Sequence, residues 1–285
     1  MAIFGPGLLG GSIAMAVRQN MPDCELRLWA RREQPLEFAR RQGVTEHTYT
    51  DAIAAAKGAE LIILATPIGA FEELSRYILS SIAPTAVVTD IGSVKAYVHR
   101  TTGAMLTERR RLFIGSHPMA GTEKSGIENA SAALLQGATV ALTNPHGVAE
   151  EYVERLAAFW QALGSSTYVM EPVNHDRTVA RISHAPHILA ALCARGAVSG
   201  GIPMADLQRL AASGFRDTTR VCEGGAGMWA DILWENDVAI RAAMHDCVAD
   251  LHYLIDLLEN QDREGVRRWL EAAGDARITV RQKES

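Results

Sequence analysis

The stretch GPGLLGGSIA, Gly5 to Ala14, decides how the first half of this chain folds. Gly5, Gly7 and Gly10 stand at G-x-G-x-x-G spacing, that of a turn wrapping a pyrophosphate. Glycine patterns of this length occur by chance, so their context has to carry the reading. An apolar run, MAIF (1–4), precedes the glycines, and behind them Leu9, Ile13, Ala16 and Val17 form one helical stripe. Strand, glycine turn and amphipathic helix is the setting the pattern requires. Gly5 then permits a tight turn, Gly7 a close approach to phosphate, and Gly10 close packing of helix on strand. The backbone at Leu8 and Leu9 opens the helix, whose N-terminus offers free N–H groups and a positive dipole end. The first strand starts at Met1, so either it is unusually short or the native start lies upstream.

Further apolar runs follow at ELRLWA (25–30), LIILAT (61–66), AVVTD (86–90), LFIG (112–115) and ATVALT (138–143). Near-continuous apolar runs are what strands covered on both faces of a parallel sheet require. Their alternation with helical segments predicts an α/β domain, a doubly wound sheet of the Rossmann type, over residues 1–145. STYVM (166–170) reads as one more strand, and the rest of 146–285 reads as helix. The clearest helix runs from Asp237 to Glu259, with Ile240, Met244, Cys247, Val248, Leu251, Leu254, Ile255 and Leu258 on one face. A stripe of that length predicts packing inside a helical domain and across a subunit interface.

The composition excludes several classes. A formal net charge of −5 and the lack of a Lys/Arg-rich tract argue against nucleic acid as a partner. No apolar run approaches the roughly 18 residues that span a bilayer, and no signal peptide is evident, so a cytoplasmic location is expected. Cys24, Cys193, Cys222 and Cys247 are scattered without zinc spacing, which predicts reduced thiols, with Cys193 and Cys247 in the core, and no metal site.

A dinucleotide turn needs an acid at the end of the second strand if it is to hold the ribose 2′-hydroxyl of NAD. This chain has Ala30 there, followed by Arg31 and Arg32. A small residue beside guanidinium groups suits a 2′-phosphate, which favours NADP over NAD. Thr66 and Pro67, at the carboxyl end of LIILAT, are further cofactor candidates, since ligands bind outside the carboxyl ends of such strands.

Later stretches carry candidate chemistry. TDIGSVKAYV places Ser93 and Lys95 after a strand; Ser93 either caps a helix or bonds a substrate hydroxyl. IGSHPMAGTEKSG places His117 after another strand, expected in the same sheet as the glycine turn, ahead of a loop with Thr122 and Glu123. VARISHAPHILAAL holds His184 and His187 three apart, on one helical face but without further ligands for a metal. GFRDTTR gathers Arg216, Asp217 and Arg220, cations suited to a carboxylate substrate.

Taken in order, GPGLLGGS, DIGSVK, SHPMAGTEKSG, SHAPH, GFRDTTR and MWADILWEN (228–236) resemble the prephenate/arogenate dehydrogenase family of tyrosine biosynthesis. The resemblance runs from residue 1 to about 260 and implies a Rossmann domain followed by an all-helical dimerisation domain. It implies an oxidative decarboxylation, in which the ring carbon bearing the 4-hydroxyl gives a hydride to the nicotinamide and CO2 leaves. It further implies His117 as the base that accepts the hydroxyl proton, with Ser93 contacting the same hydroxyl and helping to hold His117. Arg220 would bind a substrate carboxylate, His184 and His187 would line the pocket, and Thr122 and Glu123 would lie beside the substrate. Glu123 would pair either with the amino group of arogenate or internally. A β-hydroxyacid dehydrogenase would rely on a lysine in the helical half, but residues 150–265 contain none. A non-catalytic NADP sensor would not need His117, Ser93 and Arg220 together.

Overall fold

Six of the apolar runs and short β segments pair in parallel to form one sheet. They are β1 (Ala2–Phe4), β2 (Arg27–Trp29), β3 (Thr48–Tyr49), β4 (Leu61–Leu64), β5 (Val87–Asp90) and β6 (Leu112–Phe113), in the order β3-β2-β1-β4-β5-β6. The computed structural model describes residues 1–281, in two units, Met1–Asp237 and Val238 onward. β3 escapes the sequence reading because two half-buried residues show no periodicity.

The sheet is covered on both sides. Ile3 and Ile63 join one core layer with Ala14 and Val17 of helix α1 (Leu8–Asn20). Ala2, Phe4, Ile62 and Leu64 face the other, with Phe71, Leu74 and Ile78 of α3 (Phe71–Ile78); α2 is Glu33–Arg41. Successive strand residues thus enter opposite layers, the period of two that β geometry imposes. Between β1 and β4 the strand order reverses, and the glycine turn leaves β1 at that crevice.

A second sheet departs from expectation. β7 (Gly115–Pro118) runs antiparallel to β8 (Thr139–Thr143), which pairs in parallel with β9 (Ser166–Val169). ATVALT and STYVM therefore do not extend the large sheet, and LFIG is split between two sheets. Ile114 N–H still bonds Val88 O at 3.1 Å, and then the chain leaves. A Cβ on Gly115 would meet Thr143 Oγ1 at 2.5 Å and His99 Nε2 at 2.9 Å, so only glycine fits at the crossing. His117 consequently lies within a strand of the second sheet, opposite Ala141, and not after a strand of the first.

A buried polar layer joins the sheets. Ser116 Oγ bonds Thr89 Oγ1 at 2.7 Å and accepts from Trp160 Nε1 at 3.2 Å, Trp160 standing on α5 (Glu150–Ala162). Lys95, the residue before α4 (Ala96–Val98), has no solvent exposure; its ammonium pairs with Asp90 and donates to Ser116 O at 2.7 Å. Desolvation pushes the Asp90 carboxyl up and the Lys95 ammonium down from their ordinary values, and their mutual attraction opposes both shifts.

After β9 the chain is helical, as the sequence indicates. The site uses α6 (Pro172–Val179), a π-helical turn at Ala180–His184, α7 (Ala185–Ser199) and α8 (Ala226–Glu235). Cys193 on α7 is exposed, not in the core, because apolar residues such as Leu189 and Leu192 also line open faces of that helix. Val238 onward forms α9 (Asp237–Glu259) and α10 (Arg263–Arg281), with Trp269 Nε1 donating to Asp250 Oδ1 at 3.1 Å. On α9, Val248, Leu251, Ile255 and Leu258 stay exposed in the single chain, and Cys247 is half-buried. No helix among the described residues is long and apolar enough to cross a membrane.

Lys95→Met would strand a buried carboxylate, a change expected to cost about 3–5 kcal/mol in unfolding free energy. Urea denaturation at pH 7 measures it, and combining Asp90→Asn with Lys95→Met should recover part of the loss. Wild-type stability in Lys95→Met would refute the pairing as a structural support.

Candidate active site

The glycine turn has the shape of a dinucleotide cradle. Gly5 has φ +103°, and a Cβ on it would meet Ala65 O at 2.7 Å; a Cβ on Gly10 would meet Gly5 O at 2.2 Å. The protein's own packing therefore demands both glycines. Gly7 differs, since a Cβ there would meet nothing within 4 Å, leaving open space where a pyrophosphate would lie. No side chain caps α1, whose first-turn N–H groups at Leu8 and Leu9 face that turn. Thr66 Oγ1 is buried without a partner beside Gly5, and Pro67 is exposed next to it. Ala30 follows β2 directly, with Arg31 and Arg32 exposed behind it, and neither arginine forms an ion pair among the described residues. The next acid along the chain, Glu33, is already bonded to Arg40 at 2.6 Å. These residues fit a dinucleotide.

A buried cluster of histidines is built around His117. Its Nδ1 lies 2.8 Å from His175 Nε2, and His175 Nδ1 lies 2.7 Å from Asp176 Oδ1. Asp176 also accepts from the backbone N–H groups of Lys95 at 2.7 Å and Ala96 at 2.8 Å, capping α4 from a distant segment. Burial holds His117 well below the ordinary imidazole range, and the neighbouring His175, Lys95 and His184 push it the same way. His117 is therefore neutral near pH 7. Its Nε2 makes no hydrogen bond among the described residues.

From there the contacts close a ring. Asn236 Nδ2 donates to Asp176 O at 2.9 Å and lies 3.2 Å from His184 Nδ1. Trp229 of α8 packs edge-on to His184 and stacks on His187 at 3.5 Å. α7, which carries His187, packs against the turn Arg220–Glu223, which begins at Arg220. Arg220 pairs with Glu123 at 2.5 Å, six residues beyond His117. Burial lowers His184 to about 4 and lowers His187 as well. His184 Nε2 and His187 Nδ1 are buried without partners, polar atoms left for a ligand.

Among the sequence candidates, His117, His184, His187, Arg220 and Glu123 are thus brought together. Glu123 takes the internal pair of its two possible roles. Ser93 is half-buried two residues before Lys95; it neither caps α4, which Asp176 does, nor bonds His117 among the described residues, where His175 does. Thr122 is exposed, its Oγ1 accepting from Lys124 N–H at 3.2 Å. His175, Asp176, Trp229 and Asn236 were missed as site residues. The adjacent His-Asp on a helix, and MWADILWEN as a motif, were the signals available. Among the described residues no His, Cys, Asp or Glu group could hold a metal.

Comparison with known proteins points the same way. The nucleotide-binding-domain model of prephenate dehydrogenase matches residues 13–169, and the dimerization-domain model of prephenate dehydrogenase matches 171–272. The chain is 32% identical to a prephenate dehydrogenase of Bacillus subtilis, over 98% of this chain and 76% of that protein. It is similar to the structure of prephenate dehydrogenase from Aquifex aeolicus in complex with hydroxyphenyl propionate and NAD+. That likeness has a TM-score of 0.90 at 26% identity, over 98% of this chain and 97% of that one. Arogenate dehydrogenase of Synechocystis is similar at TM-score 0.80 and 29% identity, over 98% and 99%.

The two kinds of glycine separate experimentally. Gly10→Ala should lower the melting temperature by several degrees, because its methyl collides with backbone. Gly7→Ala should melt like wild type yet bind dinucleotide at least about tenfold more weakly. Equal dinucleotide affinity in Gly7→Ala, measured by fluorescence titration, would remove the turn as the phosphate site.

Proposed function

The chain belongs to the prephenate dehydrogenase family, and we propose that it oxidatively decarboxylates prephenate or arogenate, with NADP as the preferred cofactor. The products are 4-hydroxyphenylpyruvate from prephenate and tyrosine from arogenate. The observation that carries this reading is the neutral, buried His117 with an unpaired Nε2, in one cluster with the partnerless nitrogens of His184 and His187.

When bound, the nicotinamide supplies the hydride acceptor. The residues of this chain handle the proton and the orientation. As C4 loses hydride its hydroxyl becomes acidic, and His117 Nε2 takes that proton, as a neutral imidazole can. Decarboxylation returns the bonding pair to the ring, which becomes aromatic, and the proton goes back to the phenolate oxygen, so none is gained or lost overall. Arg220 holds a substrate carboxylate, drawn in part from Glu123, and the latter is then free to meet an ammonium group if the side chain carries one. His184 and His187 donate to or accept from the remaining polar groups, Thr122 borders the entrance, and Ser93 contacts the 4-hydroxyl. Aromatisation drives the reaction forward, so holding the substrate in line is the main demand.

The NADP preference rests on Ala30 and on the unpaired Arg31 and Arg32, with the acid of Glu33 occupied by Arg40. The helical half is proposed to form a homodimer through the exposed apolar face of α9, in keeping with the dimerization-domain model it matches.

Prephenate and arogenate, each with NAD and NADP, should give reduced cofactor in at least one combination, and fastest with NADP. Arg31→Ala and Arg32→Ala should raise KM for NADP about tenfold and leave that for NAD unchanged; equal effects on both cofactors would reverse the assignment. His117→Asn should lower kcat by about 10²-fold or more while dinucleotide affinity holds. Because an imidazolium cannot accept a proton and burial depresses the His117 pKa, kcat/KM should stay level as pH falls through 6.5 and drop only in more acidic solution. Loss of activity centred at or above pH 6.5, absent in the residual activity of His117→Asn, would contradict a depressed base.

A further inference from the structure

His117 does not stand alone, and its neighbours constrain which of its nitrogens carries hydrogen. Asp176 is 4% exposed, and its carboxylate already accepts two backbone N–H bonds, from Lys95 and Ala96. An ionised carboxylate can only accept, so the nitrogen facing Oδ1, His175 Nδ1 at 2.7 Å, must be a donor. A neutral His175 with Nδ1 protonated has a bare Nε2. That bare nitrogen lies 2.8 Å from His117 Nδ1, which must therefore carry the hydrogen between them. Neutral His117 is left with its lone pair on Nε2, the atom without a protein partner. Both rings are fully enclosed otherwise, His175 at 1% and His117 at 8% exposure, so water does not compete for these bonds.

We propose that His175 and Asp176 are positioning residues that hold His117 in the Nδ1–H tautomer and share the charge when His117 takes a proton. The inference rests on the reading of His117 as the base. The proton moves in two linked steps. The substrate hydroxyl proton bonds to His117 Nε2, and the Nδ1 hydrogen shifts across 2.8 Å to His175 Nε2. The positive charge then sits on a ring whose other nitrogen donates to the Asp176 carboxylate. Both shifts reverse when the phenolate oxygen reclaims its proton. Free imidazoles in water favour the Nε2–H form, which would present a donor where this reaction needs an acceptor, so the tautomer has to be imposed. The same anchoring also ties the base to the fold, because Asp176 caps α4 and Asn236 holds the Asp176 carbonyl.

The test is ¹⁵N NMR of the His117 ring in the wild-type protein with labelled histidine, assigned by the signals lost in His117→Asn. Nδ1–H with an unprotonated Nε2 near pH 7 is expected; an Nε2–H ring in the wild type overturns the proposal without any activity measurement. His175→Phe should switch His117 to Nε2–H and lower kcat by about 10²-fold, with KM and dinucleotide affinity within about twofold. His175→Gln, whose Oε1 can accept from His117 Nδ1–H, should restore the tautomer and most of kcat. An unchanged kcat in a folded His175→Phe, or loss in both variants through KM alone, would make the dyad merely structural and refute the proposal. If wild-type enzyme turns over neither prephenate nor arogenate, the functional reading falls, while the ring spectrum still decides the tautomer.

Discussion

The Asp176 carboxylate is the point at which the helix α4 and the His117–His175 pair are tied together. It receives the N–H groups that open α4, just beyond β5, and the Nδ1–H of its neighbour His175. A carboxylate this deeply buried is tolerated only when its lone pairs are met by donors, and here three donors meet them. In return it closes a helix N-terminus that no local side chain caps. A single group thus binds segments some eighty residues apart and aligns the His175 ring that touches His117.

Beneath it lies a layer with little room for variation. The Lys95–Asp90 pair, Ser116, Thr89 and Trp160 satisfy one another's polar atoms between the two sheets, all without access to water. Such a layer adds less to stability than an apolar one of equal volume, since desolvating both charges offsets most of their attraction. What it supplies is a single arrangement: the chain passes from β6 into β7 at one place, and His117 takes its register opposite Ala141. The same lack of water disfavours the charged forms of the His117 and His184 imidazoles.

The site residues that the sequence revealed were those marked by unusual local chemistry. Gly5, Gly7 and Gly10 announce a turn, the absence of an acid at Ala30 marks the end of the second strand, and His117 stands out before a proline and glycines. His175 and Asp176 carry no such mark. They lie on a helix whose other residues are ordinary, and their importance arises only when that helix docks against α4. Ser93 shows the reverse: its position after a strand suggested a cap, but the cap came from a residue far along the chain.

By itself the sequence determined the doubly wound half, the helical half and the glycine turn, because each rests on periodicity or spacing within a few residues. Glycine conformations and helix stripes are local properties, and a linear reading recovers them. Only the tertiary structure decided that β7, β8 and β9 form a separate sheet, that Glu123 closes onto Arg220, and that His175 and Asp176 stand behind His117. These outcomes depend on where the chain leaves one sheet at Gly115 and on which buried donor meets which acceptor. Such matches are made between segments far apart in sequence, where no local pattern records them.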